Sequence, residues 1–406
     1  MRVLLSTIGS RGDVQPLVAL AMELRALEQD VRMCVPPDFR ESIEELGFAV
    51  TPIGPELRAF SVGIPAPGAA PITPERAREM VDASVAAQFE AIAGAATDCD
   101  VIVGATALQI AAPSVAEKLG IPYIFAAYCP AVLPSPHQRP IVLGMRGEVE
   151  PPASADDTEL WAREAQRYND TFGAALNTHR ESIGMSPVDD VRSYILTSRP
   201  WLAADPMLGP WPDPADAAVF QPGAWIVADH RPLSPELEAF LDAGDQPVYF
   251  GFGSIRSAGD VSRAMIESAR ALGRRAIVSR GWADLALVDD QPDCLSIGEV
   301  NQQALFGRVA AVVHHGGAGT TATAALAGAP QVIVPQMYDQ RYWAKRVQEI
   351  GIGTAHPAGA PTADSLTNAL DRSLHADVMA RAHTVATAVI RTGARVAAER
   401  VIAIAG

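Results

Sequence analysis

The sequence has few cysteines, and their spacing argues against a metal site or a disulfide framework. Cys34, Cys99, Cys129 and Cys294 lie far apart, with no C-x-x-C pair and no histidine cluster nearby. Zinc sites and small disulfide-rich domains are built from closely spaced ligands or bridged cysteines. We therefore expect no metal, no disulfide bonds and a location in the reducing cytoplasm.

Long apolar runs are also missing, and positive charge is in deficit. No apolar stretch is long enough to span a bilayer, and the run 3–8 is too short for the core of a signal peptide. The formal net charge is −15, which repels phosphate backbones and anionic membrane surfaces. We expect no nucleic-acid partner and no stable membrane insertion, and an anionic ligand must be held by local donors.

What the chain does contain is enough apolar sequence for two cores. It has 406 residues, of which 49% are hydrophobic, and a chain of this length usually divides into two domains. Short β-rich runs alternate with amphipathic segments, which predicts βαβ units and parallel sheets. The predicted strands are 2–8, 31–35, 48–53, 100–104, 122–127, 247–250, 275–279, 294–297, 310–314 and 331–334. The predicted helices are 14–28, 40–46, 74–96, 107–119, 157–182, 261–272, 319–327, 340–350, 364–374 and a tail over 376–406.

A proline-rich stretch separates the two halves of this pattern. Pro206, Pro210, Pro212 and Pro214 fall in a segment without hydrophobic periodicity, which indicates a linker at 206–222. Residues 130–155 are predicted to be a long loop, and long loops in compact domains are usually functional. The predicted fold class is α/β, with two doubly wound, Rossmann-like domains facing each other across a cleft. Ligands of such sheets bind at the carboxyl ends of the strands.

The clearest local motif is V-V-H-H-G-G-A-G-T-T at 312–321. An apolar strand leads into a glycine-rich turn and a helix, an arrangement that lets the backbone approach a phosphate at the helix N-terminus. His315 and Thr320 add hydrogen-bond donors. The motif is neither a Walker loop nor a G-x-G-x-x-G fingerprint. The alternative interpretation is a tight strand-to-helix turn with packed histidines.

Two further strand-to-helix junctions carry polar side chains. Asp339 and Gln340 follow the next predicted strand and could reach sugar hydroxyls, although an Asp at this position is most often only an N-cap. The first strand ends in G-S-R-G-D, residues 9–13, where Ser10 and nearby N–H groups could meet a phosphate. Asp13 could accept a proton as a general base, or it could simply cap the helix.

Together these segments resemble the nucleotide-sugar-dependent glycosyltransferases of the GT-B fold. The narrower resemblance is to the glycopeptide-antibiotic glycosyltransferases of the vancomycin and teicoplanin type. It covers nearly the whole chain and is densest in the C-terminal half. The segments that carry it include GSRGDVQPLVALA, VAEKLGIPY, RPWLAADP, PVYFGFGS, SRGWADL, IGEVN, ALFGRVAAVVHHGGAGTT and PQMYDQ.

The resemblance implies an acceptor-binding domain over 1–205 and a nucleotide-sugar domain over 223–385, with a tail at 386–406 that returns to the first domain. It implies an inverting, metal-independent transfer in which Asp13 is the catalytic base and no cofactor takes part. His315 and its glycine-rich turn would hold the diphosphate, Asp339 and Gln340 the sugar, and the main chain near Val300 the base. The residues expected at the donor are Ser10, Arg11, Gly12, Ser254, Trp282, Val300, His315, Gly316, Gly317, Gly319, Thr320, Asp339 and Gln340.

Two departures from the wider family leave the nucleotide open. The position at which plant relatives stack an aromatic ring on uracil falls at Gly298 or Glu299 here, and Trp282 is either a substitute or a packed core residue. Thr323 stands where those relatives bind the ribose with a glutamate. We therefore expect a UDP-glucose type donor, with a dTDP sugar as the alternative.

The expected acceptor is a hydroxyl of a glycopeptide aglycone, and the chain is expected to be a monomer. A lipid, sterol or polyketide acceptor and a catalytically silent auxiliary protein of the same fold are the alternatives. A nucleotide-sugar epimerase would need an acid–base set that has no motif here.

Overall fold

The computed structural model describes residues 1–57, 73–141, 154–213, 216, 218–252, 261–281, 285, 287–357 and 360–406. Within them the chain forms two parallel sheets flanked by helices, which confirms the predicted α/β class. The strands of the first sheet are β1 (Arg2–Thr7), β2 (Asp30–Val35), β3 (Ala49–Pro52), β4 (Val101–Ala105), β5 (Tyr123–Ala127) and β6 (Trp201–Leu202). Those of the second are β7 (Val248–Gly251), β8 (Ala276–Ser279), β9 (Cys294–Ile297), β10 (Ala311–His314), β11 (Gln331–Ile333) and β12 (Gly353–Ala355).

The helices cover both faces of each sheet, as expected for βαβ units. In the first half they are α1 (Arg11–Ala26), α2 (Arg40–Glu45), α3 (Pro74–Ala95), α4 (Ala112–Leu119), α5 (Asp157–Ser182) and α6 (Val191–Leu196). In the second half they are α7 (Pro235–Asp242), α8 (Val261–Ala271), α9 (Gln302–Phe306), α10 (Ala318–Leu326), α11 (Gln340–Glu349), α12 (Ala363–Ser373), α13 (Ala376–Ala386) and α14 (Gly393–Ala405). None of the helices described is long and apolar enough to span a membrane.

The two sheets share one topology. The first has the order β3-β2-β1-β4-β5-β6 and the second the order β12-β11-β10-β7-β8-β9, with all neighbouring strands parallel. The central strands are fully buried, as the near-continuous apolar runs of β1 and β4 require. In each sheet the direction of strand addition reverses at the centre, between β1 and β4 and between β7 and β10.

The two halves are joined by apolar packing as well as by the chain. Leu208 and Trp211, in the segment predicted as a linker, are buried in the same cluster as Trp343 and Val347 of α11. Phe220 pairs with Trp201 beside β6. At the C-terminus, Ala397 and Val401 of α14 pack in one cluster with residues of α1.

The fourth helix differs from the sequence expectation, because α4 begins at Ala112 rather than at residue 107. Pro113 sits in its first turn, where a missing N–H costs nothing. The main-chain N–H groups of Ile110 and Ala111 are taken by Oε1 of Gln88, at 2.9 and 3.3 Å. Residues 107–111 are therefore held as a turn and not as helix. The short elements β6, β12, α6, α7 and α9 were not predicted.

Candidate active site

The strand order places two of the predicted motifs beside the reversal points of the two sheets, one after the first strand of its sheet in chain order and the other after the fourth. Ligands of doubly wound sheets bind at the carboxyl ends of the strands, where the order reverses. At the reversal of the first sheet, β1 leads through Gly9 and Ser10 into α1. At that of the second, β10 leads through 315–317 into α10. We call these the β1–α1 turn (residues 8–13) and the β10–α10 turn (residues 314–320).

Asp13 lies in the first turn of α1, and its carboxylate folds back over the β1–α1 turn. A Cβ atom at Gly9 would lie 2.2 Å from Oδ2 of Asp13, so only glycine leaves room for this carboxylate. The hydroxyl of Ser10 donates to the same oxygen at 3.3 Å. The hydroxyl of Tyr128, just after β5, donates to the main-chain oxygen of Asp13 at 3.0 Å. Ser10 is the N-cap residue, but no side chain caps α1.

The protein surroundings raise the pKa of Asp13 to about 7. Burial is the main cause, and the nearby carboxylate of Asp339 adds to it, while hydrogen bonds from Ser10 oppose it. A carboxylate whose pKa lies near neutral pH is a well-matched proton acceptor at that pH. The N-cap residue of α1 is Ser10 and not Asp13, but the carboxylate of Asp13 also accepts from the main-chain N–H of Ser10, so a capping role and a role as base remain compatible.

The β10–α10 turn depends on two glycines for different reasons. Gly316 has a φ of +96°, which disfavours other residues, and a Cβ there would also lie 2.5 Å from Cγ2 of Ile333. A Cβ at Gly317 would lie 2.7 Å from Nε2 of His315. Gly317 is the N-cap position of α10, and no side chain occupies the helix N-terminus. The first N–H groups of α10 therefore form a site suited to an anion.

The two histidines of this turn have different surroundings. His314 is buried, with Nε2 2.9 Å from Oε1 of Gln331 and with Nδ1 accepting from the N–H of Gly316. Burial lowers its pKa to about 3. His315 is partly exposed, and burial lowers its pKa to about 4, while a hydrogen bond to the main chain of Gly251 opposes this shift. The packed-histidine interpretation fits His314, whereas His315 keeps part of its ring exposed.

The open side of the turn is formed by Gly319 and Thr320. Nothing lies within 4 Å of a Cβ built at Gly319. Thr321 and Thr323 donate their hydroxyls to the main-chain oxygens of Gly317 and Gly319, both at 2.9 Å. The Thr320 hydroxyl makes no hydrogen bond to a described residue. Of the three threonines, Thr320 is the one left to meet a ligand.

Asp339 and Gln340 follow β11 at the start of α11. Asp339 is the N-cap residue, yet its side chain makes no cap hydrogen bond; instead its Oδ2 accepts from Nε1 of Trp343 at 2.9 Å. Burial raises the pKa of Asp339 to about 6, and the bond from Trp343 opposes this rise. Gln340 is buried, and its Oε1 accepts from the N–H groups of Gln336 and Met337 at 2.7 and 3.0 Å.

The remaining predicted residues are less tightly placed. Arg11 is partly exposed and pairs with Glu299 across the two halves, with 2.9 Å between Nη1 and Oε1. Val300, in the same segment as Glu299, is partly buried, and Gly12 is exposed. Ser254 and Trp282 lie outside the described residues.

Sequence reasoning did not single out several residues that shape this site. They are Gly9, which makes room for Asp13; Tyr128, which binds its main chain; Trp343, which binds Asp339; and Tyr338, an exposed residue with a φ of +52°. A left-handed backbone in a non-glycine residue costs free energy and is commonest at functional sites. Gly9 had a sequence signal, since it begins the G-S-R-G-D motif. Tyr128 had none, because its partner Asp13 is 115 residues away in sequence. Tyr338 and Trp343 lie in or beside the P-Q-M-Y-D-Q segment, but the left-handed backbone of one and the indole bond of the other have no sequence signature. No cluster of potential metal ligands occurs in the described ranges.

Family models match both halves of the chain. The N-terminal domain of glycosyltransferase family 28 matches residues 3–135. The C-terminal domain of erythromycin biosynthesis protein CIII-like proteins matches residues 264–397. These ranges contain the β1–α1 turn and the β10–α10 turn, respectively.

Relatives of known function and solved structures agree with these matches. The chain is 51% identical to a vancomycin aglycone glucosyltransferase of Amycolatopsis orientalis, over 98% of this chain and 96% of the relative. It is 46% identical to a dTDP-epi-vancosaminyltransferase of the same organism, over 95% and 93%. The fold matches that of the glycosyltransferase VinC in complex with dTDP, with a TM-score of 0.69 at 18% identity, over 100% of this chain and 99% of that one. On this evidence the chain is an enzyme of the GT-B fold and belongs to the glycopeptide-antibiotic glycosyltransferase family.

Proposed function

We propose that this glycosyltransferase moves a hexose from UDP-glucose to a hydroxyl of a glycopeptide aglycone, with inversion at the anomeric carbon. The observation that carries the proposal is the placement of the two turns at the reversal points of the two sheets. One turn presents a carboxylate suited to proton transfer, and the other presents a helix N-terminus suited to a diphosphate.

In this proposal Asp13 is the general base. Ionised Asp13 takes the proton of the acceptor hydroxyl, the oxygen attacks the anomeric carbon, and the bond to the diphosphate breaks on the opposite face. The pKa of Asp13, about 7, supports this role because the group both ionises and accepts a proton near neutral pH. Gly9 supports it by leaving the space in which the carboxylate stands.

The donor's diphosphate would bind at the β10–α10 turn. The free N–H groups at the start of α10, the ring of neutral His315 and the hydroxyl of Thr320 are donors aimed at the charge that develops as the diphosphate leaves. Ser10, Arg11 and Gly12 would assist from the β1–α1 turn, with Ser254 after β7. In this scheme hydrogen-bond donors, and no metal ion, stabilise the leaving group.

The sugar and the base would be held by neighbouring loops. No other described residue donates to Oδ1 of Asp339, and Nε2 of Gln340 makes no hydrogen bond to a described residue, which leaves both for sugar hydroxyls. The main chain near Val300, with Trp282, would meet the base. Thr323 donates its hydroxyl within α10 and offers no carboxylate to the ribose, so a dTDP sugar is the alternative donor. The relative named as a glucosyltransferase favours glucose.

The relatives support the proposed acceptor, and the packing of the chain supports the proposed domain boundaries and cellular location. The vancomycin aglycone named for one relative supports a glycopeptide acceptor, bound by residues 1–205, with the donor on 223–385. The packing of α14 against α1 supports a returning tail at 386–406, with 206–222 as the connection between the domains. The four cysteines are buried and free, which supports a reducing cytoplasm. We propose a monomer.

A donor panel read by mass spectrometry tests the proposal. Purified protein is incubated with a glycopeptide aglycone and UDP-glucose, UDP-N-acetylglucosamine or dTDP-glucose, beside the Asp13→Asn variant. We expect a hexose mass from UDP-glucose and a loss of turnover of about 10²- to 10⁴-fold in Asp13→Asn, with UDP binding retained.

Other results would redirect or contradict the proposal. Product from dTDP-glucose alone would correct the nucleotide, and product only with a lipid, sterol or polyketide acceptor would correct the acceptor. Full activity of Asp13→Asn would exclude Asp13 as the base. Binding of nucleotide sugars without product on any acceptor would favour a silent auxiliary protein.

A further inference from the structure

Trp343 connects the donor side of the cleft to the other half of the molecule. It lies one turn along α11 from Asp339 and is only 3% exposed. Its Nε1 donates to Oδ2 of Asp339 at 2.9 Å. Asp339 makes no cap hydrogen bond to α11, so its carboxylate is held by this indole bond together with the main-chain N–H of Asp339 itself.

The ring of Trp343 is held from the opposite side. A Cβ atom at Gly209 would lie 2.9 Å from Cη2 of Trp343 and 3.3 Å from Cδ of Pro130. Glycine at 209 therefore lets the indole lie directly on the main chain of the segment that follows the first sheet. One turn further along α11, Nε of Arg346 donates to the main-chain oxygen of Leu208 at 3.1 Å.

The segment 205–211 under the indole is itself fixed by buried polar groups. Asp205 is 1% exposed and accepts hydrogen bonds from the N–H groups of Met207 and Leu208, at 2.8 and 3.3 Å. Its other oxygen accepts from the N–H of Ile390 at 2.7 Å. Gln221 donates to the main-chain oxygen of Gly209 at 2.8 Å. Buried, satisfied bonds of this kind give a surface a defined position.

We propose that Trp343 is a positioning residue. Its indole N–H orients the carboxylate of Asp339 towards the transferred sugar, and the packing of α11 on segment 205–211 fixes the position of the indole. This inference rests on the proposed contact between Asp339 and the sugar. A phenylalanine would fill the same apolar space, so burial alone does not require the N–H. The N–H occupies Oδ2 of Asp339 and leaves Oδ1 for a sugar hydroxyl.

The consequence is a loss of binding affinity that occurs only for ligands that carry the sugar. In the Trp343→Phe variant the ring still packs on Gly209, but Asp339 loses the indole hydrogen bond that holds Oδ2. UDP does not reach Asp339 in the proposed site, whereas UDP-glucose does. The variant should therefore bind UDP-glucose about fivefold or more weakly, and its affinity for UDP should change by less than about twofold.

Calorimetric titration of the full-length protein with UDP and with UDP-glucose measures both affinities, in parallel with dTDP and dTDP-glucose. Tyr342→Phe is the matched control. It removes a hydroxyl from the neighbouring ring, whose centroid lies 5.1 Å from that of Trp343, and it leaves the bond from Trp343 to Asp339 in place. Gly209→Ala is a second route, because it displaces the ring but keeps the N–H. It should reproduce the sugar-dependent loss if Trp343→Phe does not fold.

Asp339→Asn separates this inference from the proposed function. If Asp339→Asn lowers the affinity for UDP-glucose but Trp343→Phe and Gly209→Ala do not, the positioning role is wrong and the sugar contact stands. If Trp343→Phe weakens UDP and UDP-glucose equally, Trp343 is a core residue only. If Asp339→Asn leaves the affinity for UDP-glucose unchanged, the sugar contact is wrong and the inference fails with it.

Discussion

The β1–α1 turn and the β10–α10 turn each follow a central strand beside the point where its sheet reverses, yet they offer opposite chemistry. Both follow a central strand, contain glycines required by close contacts and open a helix without a side-chain cap. The β1–α1 turn carries its own carboxylate, Asp13, in the first turn of the helix. The β10–α10 turn carries no acidic residue in the first turn of α10.

This difference shows how one piece of topology can serve two roles. A helix N-terminus attracts negative charge. Where the chain supplies that charge itself, the turn presents a proton acceptor. Where the chain supplies only N–H groups, a hydroxyl and a neutral histidine, the turn is left for an anionic ligand. The largest tests of this comparison change Asp13, and the smaller ones change the anion site.

Displacing the carboxylate of Asp13 should give the largest effect. In Gly9→Ala, a methyl group would lie 2.2 Å from Oδ2 of Asp13 and must push it away. A displacement of about 1 Å can cost about 10²-fold in rate, so we expect a loss of that order in kcat. The affinity for UDP should not change. Steady-state kinetics and calorimetry measure the two quantities, and Gly94→Ala in α3, where a Cβ meets nothing within 4 Å, is the control.

The pH dependence should separate the two turns next. Asp13 acts only when ionised, and its pKa is about 7, so kcat/KM should rise with pH through neutrality and fall about tenfold between pH 8 and pH 6. Because the carboxylate of Asp339 raises the pKa of Asp13, Asp339→Asn should shift the midpoint of this rise in kcat/KM to lower pH. Burial keeps His315 neutral, with a pKa of about 4, so its titration should add no step to UDP affinity over the same range. A step in UDP affinity near pH 6.5 that His315→Gln removes would contradict this.

Two alanine substitutions in the β10–α10 turn should give the smallest effects and the sharpest contrast. Gly317→Ala places a methyl group 2.7 Å from Nε2 of His315, so the ring must move and UDP should bind about fivefold more weakly. Gly319→Ala meets no atom within 4 Å. It should raise the free energy of unfolding by about 0.5 kcal/mol through helix propensity. If Gly319→Ala also weakens UDP binding, the space beside Gly319 belongs to the ligand. Chemical denaturation and calorimetry give these values.

Much of the fold could be predicted from the sequence because its signals are local. The apolar runs at 2–8 and 310–314 mark central strands, since buried parallel strands are apolar throughout. The helix at 157–182 was predicted with its observed bounds, because Asp156 caps its start and its pattern runs for many turns. The start of α4 was predicted wrongly, because Gln88 is 22 residues from Ile110 and their hydrogen bond leaves no local trace.

For the candidate site, the sequence by itself determined which residue types stand in each strand-to-helix turn. Glycines, hydroxyls, Asp13 and His315 follow directly from it, since each turn is a continuous stretch of chain. Only the tertiary structure decided that both turns lie where their sheets reverse, that Asp339 raises the pKa of Asp13 and that Trp343 holds Asp339 against segment 205–211. Desolvation, charge interaction and close packing depend on distances between residues far apart in sequence, and folding sets those distances.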